Sequence, residues 1–176
     1  MKLSRRAAGL AVAAALVFAC PGIAAAADGD VLREAQDRAQ IEQLMWNYVH
    51  AIDHWNADAY AQVFTSDGAF VAGPNPVRGR DALTKMVIGM KKSQDDRRAK
   101  GQSIGAMHHI MSNQTIEFVD HDHARVHYYW MTVFAGPPAT PPAISPPNVA
   151  AVGRGLDDVV RVEGKWLIAN RNVIAE

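Results

Sequence analysis

The chain has 176 residues, 18 of them Lys or Arg and 18 Asp or Glu, for a formal net charge of zero. That length allows one domain with a sizeable core, and the charge balance argues against a nucleic-acid binder. Apolar residues make up 49%, the share of an ordinary globular protein, which excludes wholesale disorder.

The first 27 residues read as a secretory signal peptide, followed by one domain over residues 28–176. Lys2, Arg5 and Arg6 form a basic start, Ala7–Ala19 an apolar run too short to span a bilayer comfortably, and Ala24-Ala25-Ala26 a small-residue cleavage site. Ser4-Arg5-Arg6 hints at the twin-arginine route, but Ala8 stands where that signal wants an aromatic, which favours the general route. Lipidation at Cys20 is the lesser option, because Phe18 is bulky where a lipoprotein box wants a small residue. The expected location is periplasmic or secreted, with no membrane association after signal removal. Removing the segment takes away three basic residues and no acidic one, leaving 15 basic against 18 acidic, a net charge of about −3. Cys20 is the one cysteine, so the mature domain has no disulfide, thiol nucleophile or Cys-ligated metal.

A first helix is predicted from about Val31 to Asp53, with Ile41, Leu44, Met45, Tyr48, Val49 and Ile52 on one stripe. Asp53 follows Val49 by four residues, so its carboxylate points along the face that meets the core. The alternative is that Asp53 merely ends the helix beside solvent. A buried carboxylate needs a partner, and His108 and His109 open a strand-like run far downstream. A second helix is expected over Ala57–Phe64 with Asn56 as its N-cap. Thr65-Ser66-Asp67-Gly68 reads as a turn, Ala69–Ala72 as a short strand, Gly73–Pro76 as a turn and Val77–Gly79 as another short strand. A third helix is predicted from about Arg80 to Lys92, and the charged, glycine-punctuated stretch 93–105 as a mobile loop beside a pocket mouth.

The second half is strand-like. Met107–Val119 and Ala124–Phe134 flank a turn at Asp120–His123. Ala135–Ala150, with six prolines, reads as a loop, and Val152–Val162 and Lys165–Val173 meet in a hairpin at Glu163-Gly164. Helices first and long strands afterwards predict an α+β fold, a curved antiparallel sheet wrapped around the first helix. Ala124–Phe134 is apolar at both parities, so one sheet face needs a partner, and a homodimer or homotrimer is expected.

The sequence resembles the SnoaL-like group of the nuclear transport factor 2-like superfamily, which includes scytalone dehydratase and hexachlorocyclohexane dehydrochlorinase. The resemblance rests on Ile41–Asp53, Val63–Phe70, the helix start Gly79-Arg80-Asp81-Ala82-Leu83, His109-Ile110-Met111-Ser112-Asn113 and Gly164-Lys165-Trp166-Leu167-Ile168, which span nearly the whole mature chain. It implies a cone-shaped α+β barrel and a cofactor-free, metal-free site. Asp53 falls on the family's catalytic aspartate and His109 on its catalytic histidine, four residues before Asn113. Tyr48 stands where the dehydrochlorinase has a lysine, Arg171 matches a pocket arginine, and Gly155 replaces an aromatic, which implies a more open pocket wall.

These residues suit proton abstraction from carbon. A carboxylate bonded to one imidazole nitrogen fixes the tautomer and raises the basicity of the other. Tyr48, Asn113 or Arg171 would then polarise a small-molecule substrate or help the leaving group. Arg171 has strand parity opposite to Trp166 and Ile168, so it shares their face only if a bulge intervenes, and otherwise is an outward ion-pair residue. Two further readings stand beside this one. His50, Asp53 and His54, at metal-ligand spacing on the first helix, could join His108, His109 and His127 in a metal site. A non-catalytic binder could hold an apolar molecule among Trp46, Trp55, Phe70, Tyr128 and Trp130.

Overall fold

The computed structural model describes residues 21–102, 104–136 and 145–175. Its elements are α1 (Pro21–Asp53), α2 (Ala57–Gln62), β1 (Phe64–Val71), β2 (Val77–Arg78), α3 (Arg80–Ala99), β3 (Met107–Phe118), β4 (His123–Phe134), β5 (Asn148–Val162) and β6 (Lys165–Asn172). The chain divides into two compact units, Met1–Ala35 and Gln36–Glu176. In the first, the signal expected over residues 1–27 lies mostly outside the described residues. The helix is assigned from Pro21, ten residues before the expected start, through an alanine-rich stretch of high helix propensity. An ion pair one turn apart, Arg33 to Asp30, lies in this unit.

The second unit is an α+β fold with a curved six-stranded sheet in the order β2-β1-β6-β5-β4-β3. All pairings are antiparallel except β1 with β6, which run parallel. The α1 stripe is buried as its spacing requires: Ile41, Leu44, Met45, Tyr48, Val49 and Ile52 all belong to the core. Polar side chains fix the helix against the sheet. Arg38 donates to the Ile116 carbonyl at 3.0 Å, and the buried Asp37 accepts from the Trp166 indole at 3.2 Å and pairs with Arg161 at 2.6 Å. Asp37 was not singled out by the helical pattern.

Four boundaries differ from expectation. Residues 65–68 are not a free turn but the irregular centre of β1. Phe64 pairs with Ile168 and Ala69 with Asn170, so four residues of β1 span one residue of β6. The turn-forming composition serves this interruption, with the Thr65 hydroxyl donating to Asp67 at 3.0 Å. α2 accordingly ends at Gln62, since Phe64 already begins β1. The helix α3 continues to Ala99, through most of the stretch expected to be a loop, because pairs such as Lys91–Asp95 (2.6 Å) and Lys92–Asp96 (2.7 Å) support a polar helix that needs no apolar stripe. β5 begins at Asn148, just after the last proline.

The hairpins match their signals. Glu163 and Gly164 both have positive φ, 49° and 79°, which a two-residue turn between twisted strands demands. Asp120 closes the β3–β4 turn by accepting from the Asp122 N–H at 2.8 Å.

Candidate active site

Asp53 is the last residue of α1, and its place is set by how that helix ends. The Asn56 N–H donates to the Ala51 carbonyl (2.9 Å) and the Trp55 N–H to the Ile52 carbonyl (3.1 Å), while Trp55 is left-handed at φ 56°. This is a Schellman cap, with a tryptophan where glycine is usual. Asn56 serves twice, since its side chain also accepts from the Ala59 N–H to start α2. Trp55 is therefore a partly buried capping residue. It does not line the cavity that His109 borders, contrary to its expected binding role.

From this position the Asp53 carboxylate meets β3. The His109 ring nitrogen Nδ1 lies 2.6 Å from Asp53 Oδ1, and the His109 backbone N–H reaches the same carboxylate at 3.1 and 3.0 Å. The acid thus holds both the ring and the edge-strand backbone. An ionised carboxylate only accepts, so Nδ1 carries the proton and Nε2 of the neutral ring is left as the base. Both side chains are largely shielded, with 18% exposure for His109 and 12% for Asp53. The reading of Asp53 as a solvent-side helix end is set aside by this contact.

His109 borders a cavity of about 210 Å³. Phe70, Met111, Trp130 and Val173 supply apolar walls, and Tyr48 and Arg171 line it as well. Larger depressions, about 670 and 750 Å³, lie elsewhere and contain neither Asp53 nor His109. A further depression on the α1 side is bordered by Glu42, Trp46 and also His109.

Arg171 reaches the inner face through a bulge. Val159 pairs with Ile168 but Asp158 with Asn170, which leaves Ala169 unpaired and reverses the parity of the rest of β6. The guanidinium is then almost fully buried. It lies 3.6 Å from the centroid of the Tyr48 ring and 4.7 Å from that of Tyr128, and bonds the buried Asp157 carboxylate through Nη1. Its other acceptors are thioethers, Met45 Sδ at 3.7 Å and Met111 Sδ at 3.4 Å, and Nε has no partner among the described residues. Burial opposes the Arg171 charge, but Asp157 and the neighbouring tyrosines offset this and hold its pKa above the ordinary value. Burial also pushes Asp157 up to about 6, against the pull of Arg171 and of the Tyr128 hydroxyl, leaving it ionised at neutral pH. The Tyr128 phenol, raised by burial, donates to Asp157 at 2.8 Å.

Asp157 is the residue that sequence reasoning missed. Its signal was its inward parity with Gly155 and Val159 on β5, but Leu156-Asp157-Asp158-Val159 does not say which aspartate faces in. Three other expectations are corrected. Tyr128 does not line the cavity; it stands behind Arg171. Asn113 lies outside it too, because Ser112 pairs with Tyr129 and Thr115 with His127, and Asn113, left-handed at φ 52°, turns outward at this bulge onto the 670 Å³ depression. Gly155 does not open a wall either. A Cβ there would sit 2.2 Å from Tyr128 Cζ, so the tyrosine ring already fills that space. Gly153 likewise leaves room for Trp130, which donates to the Val173 carbonyl at 2.9 Å.

The metal reading lacks convergence. His50 and His54 stack at 4.2 Å while Asp53 is engaged by His109, and His127 pairs with Glu117 at 4.0 Å. Among the described residues no group of three or more His, Cys, Asp or Glu could hold a metal ion.

Residues 33–172 match the SnoaL-like domain, and the chain belongs to that family. Solved structures of the same fold include a candidate scytalone dehydratase from Novosphingobium aromaticivorans (24% identity, 81% of this chain and 85% of that one, TM-score 0.62). A nuclear transport factor 2-like protein with a cystatin-like fold from the same organism is 19% identical (88% of each chain, TM-score 0.64). A protein from Catenulispora acidiphila in complex with S-DNPA is 21% identical (78% of this chain and 91% of that one, TM-score 0.57). At these identities the likeness is one of fold. No curated protein matches the sequence.

The fit between Gly155 and Tyr128 is directly testable. Gly155→Ala should displace the Tyr128 ring, break its bond to Asp157 and destabilise the fold by about 1–3 kcal/mol, as overpacking does. Urea unfolding with near-ultraviolet circular dichroism would detect it, and an unchanged midpoint would show that the ring is not held against this strand.

Proposed function

We propose that this chain is an exported, cofactor-free lyase or proton-transfer isomerase acting on a small apolar molecule. The observation that carries the reading is the 2.6 Å contact between His109 Nδ1 and Asp53 at the border of an apolar cavity. His109 Nε2 takes a proton from a substrate carbon next to an electron-withdrawing group. The electron pair moves toward that group, which Arg171, on the same cavity, polarises. It then either expels a leaving group, as in dehydration, or returns to another carbon with the same proton. Asp53 orients the ring and stabilises the imidazolium. The S-DNPA complex of the Catenulispora acidiphila neighbour supports a small-molecule ligand for this fold.

Asp53→Asn and His109→Ala should each lower turnover by roughly 10²–10⁴-fold. The double variant should be little worse than either single one, because the pair acts as a unit. Substrate-analogue binding should survive in His109→Ala. Wild-type turnover in both single variants would show that this pair does not carry the chemistry, whereas ligand binding by the wild type without turnover would favour the second reading, a non-catalytic small-molecule binder, which the apolar walls also suit.

We further propose a homodimer or homotrimer formed through the outer sheet face. Ile110, Met131 and Val152 are cross-strand neighbours there, with Ile110 and Val152 46% and 66% exposed, and Tyr129 and Val149 extend the patch. Sedimentation at micromolar concentration should give a dimer or trimer, and a monomer would refute this.

Export rests on the basic, apolar and alanine-rich order of residues 1–27. Mass spectrometry of protein recovered from the periplasm or medium should show these residues removed. An intact N-terminus there would sink the idea, and a diacylglycerol on Cys20 would move it to the lipoprotein form.

A further inference from the structure

We infer that Asp157 sets the charge preference of the cavity: by compensating Arg171 it makes the site select neutral, carbonyl-bearing molecules of about one ring and reject carboxylates. This rests on the reading of the cavity as the ligand site. The cavity's two ionisable walls are each backed by a carboxylate. Asp53 stands behind His109 and Asp157 behind Arg171. The remaining lining residues, among them Phe70, Trp130 and Thr132, carry no charge. With neutral His109 the ensemble has one excess negative charge, and with His109 protonated it is neutral. While Asp157 is ionised the ensemble is not net positive, so an anionic ligand gains no electrostatic compensation for its lost hydration.

A neutral oxygen acceptor is better matched. Among the described residues the Arg171 nitrogen Nη2 bonds only the Met111 sulfur, at 3.4 Å, and Met111 itself lines the cavity. A thioether is a weak acceptor, and a carbonyl oxygen would replace it at a gain. The Tyr48 ring lies over the planar guanidinium, 3.6 Å from its carbon to the ring centroid, and limits its movement. A volume near 210 Å³ limits the ligand to about a single ring.

The experiment compares two probes of similar size, 2-cyclohexenone and cyclohexene-1-carboxylate, by titration calorimetry on the full chain at pH 8. The wild type should bind the enone more tightly by roughly tenfold or more. Asp157→Asn, which keeps the shape and removes the charge, should reverse that order. Because this variant leaves a buried guanidinium uncompensated and could fail to fold, a second arm uses His109→Gln, which removes the titration of the histidine. The groups facing Asp157 are Arg171 from β6, Tyr128 from β4, Tyr60 from α2 and the adjacent Asp158. With the Asp157 carboxyl near 6, lowering the pH from 8 to 5 protonates it and should strengthen carboxylate binding in His109→Gln by roughly tenfold. A wild type that prefers the carboxylate, that binds neither probe at millimolar concentration, or a ratio unmoved in both arms would overturn the inference. Turnover is not read, so an inert protein that keeps the preference removes the lyase reading alone.

Discussion

A guanidinium taken almost wholly out of water must be matched on every side, and Arg171 organises the interior of this protein around that need. Asp157 supplies the counter-charge, Tyr128 holds Asp157, and the Tyr48 and Tyr128 rings both lie near the guanidinium. Each demand reaches into a different element: α1, β4, β5 and β6. Gly155 is part of the same arrangement, because only a residue without Cβ leaves the Tyr128 ring its place. Cutting any one partner leaves a buried charge poorly paired, which costs more than the pair contributes when whole. The cluster is therefore better understood as specifying one arrangement of the cone than as adding stability.

Against this fixed wall stands a second polar group of different character. Asp53 and His109 are near the border between cavity and outside, and part of each remains accessible. The carboxylate holds the His109 backbone as well as its ring, so the geometry of the base is tied to the sheet edge and does not depend on one rotamer. Arg171 and His109 border the same cavity, and the rest of its lining carries no charge.

The sequence made one half of this legible and hid the other. Helical spacing offered Asp53 as a core-facing carboxylate with a solvent-side helix end as the alternative, and the resemblance to the SnoaL-like group singled out His109 beside His108 as its partner. Arg171 broke its parity, and nothing in Trp166–Arg171 announces the unpaired Ala169 that restores it to the inside. Asp157 was invisible for the same reason: its role exists only once Arg171 is known to point inward. Asn113 erred in the opposite sense, since a bulge at that very residue carried it out. The boundary misses have other causes. Residues 93–99 hold a helix by charge pairs that an apolar-periodicity reading does not score, and residues 65–68 have turn composition because the strand they belong to is interrupted.

Backbone strain points to the same region. Among the described residues three that are not glycine have positive φ, and one, Glu163, belongs to a hairpin turn of the type that requires it. The other two flank the acid–base pair: Trp55 two residues after Asp53, and Asn113 four residues after His109. A left-handed tryptophan is unfavourable by about 1–2 kcal/mol, and it persists only where the surroundings over-determine it. Here the double role of Asn56 and the packing of the Trp55 ring do so. The first strain stops α1 so that its final carboxylate meets the strand. The second flips the parity of β3 directly beyond Met111, so that His109 and Met111 face the cavity while Gln114, Ile116 and Phe118 turn toward the helix on the opposite parity. Each element carrying the pair is thus ended or reset by a left-handed residue no more than four positions beyond it. Relaxing either conformation would leave the core stripes intact and change where the acid and the base meet.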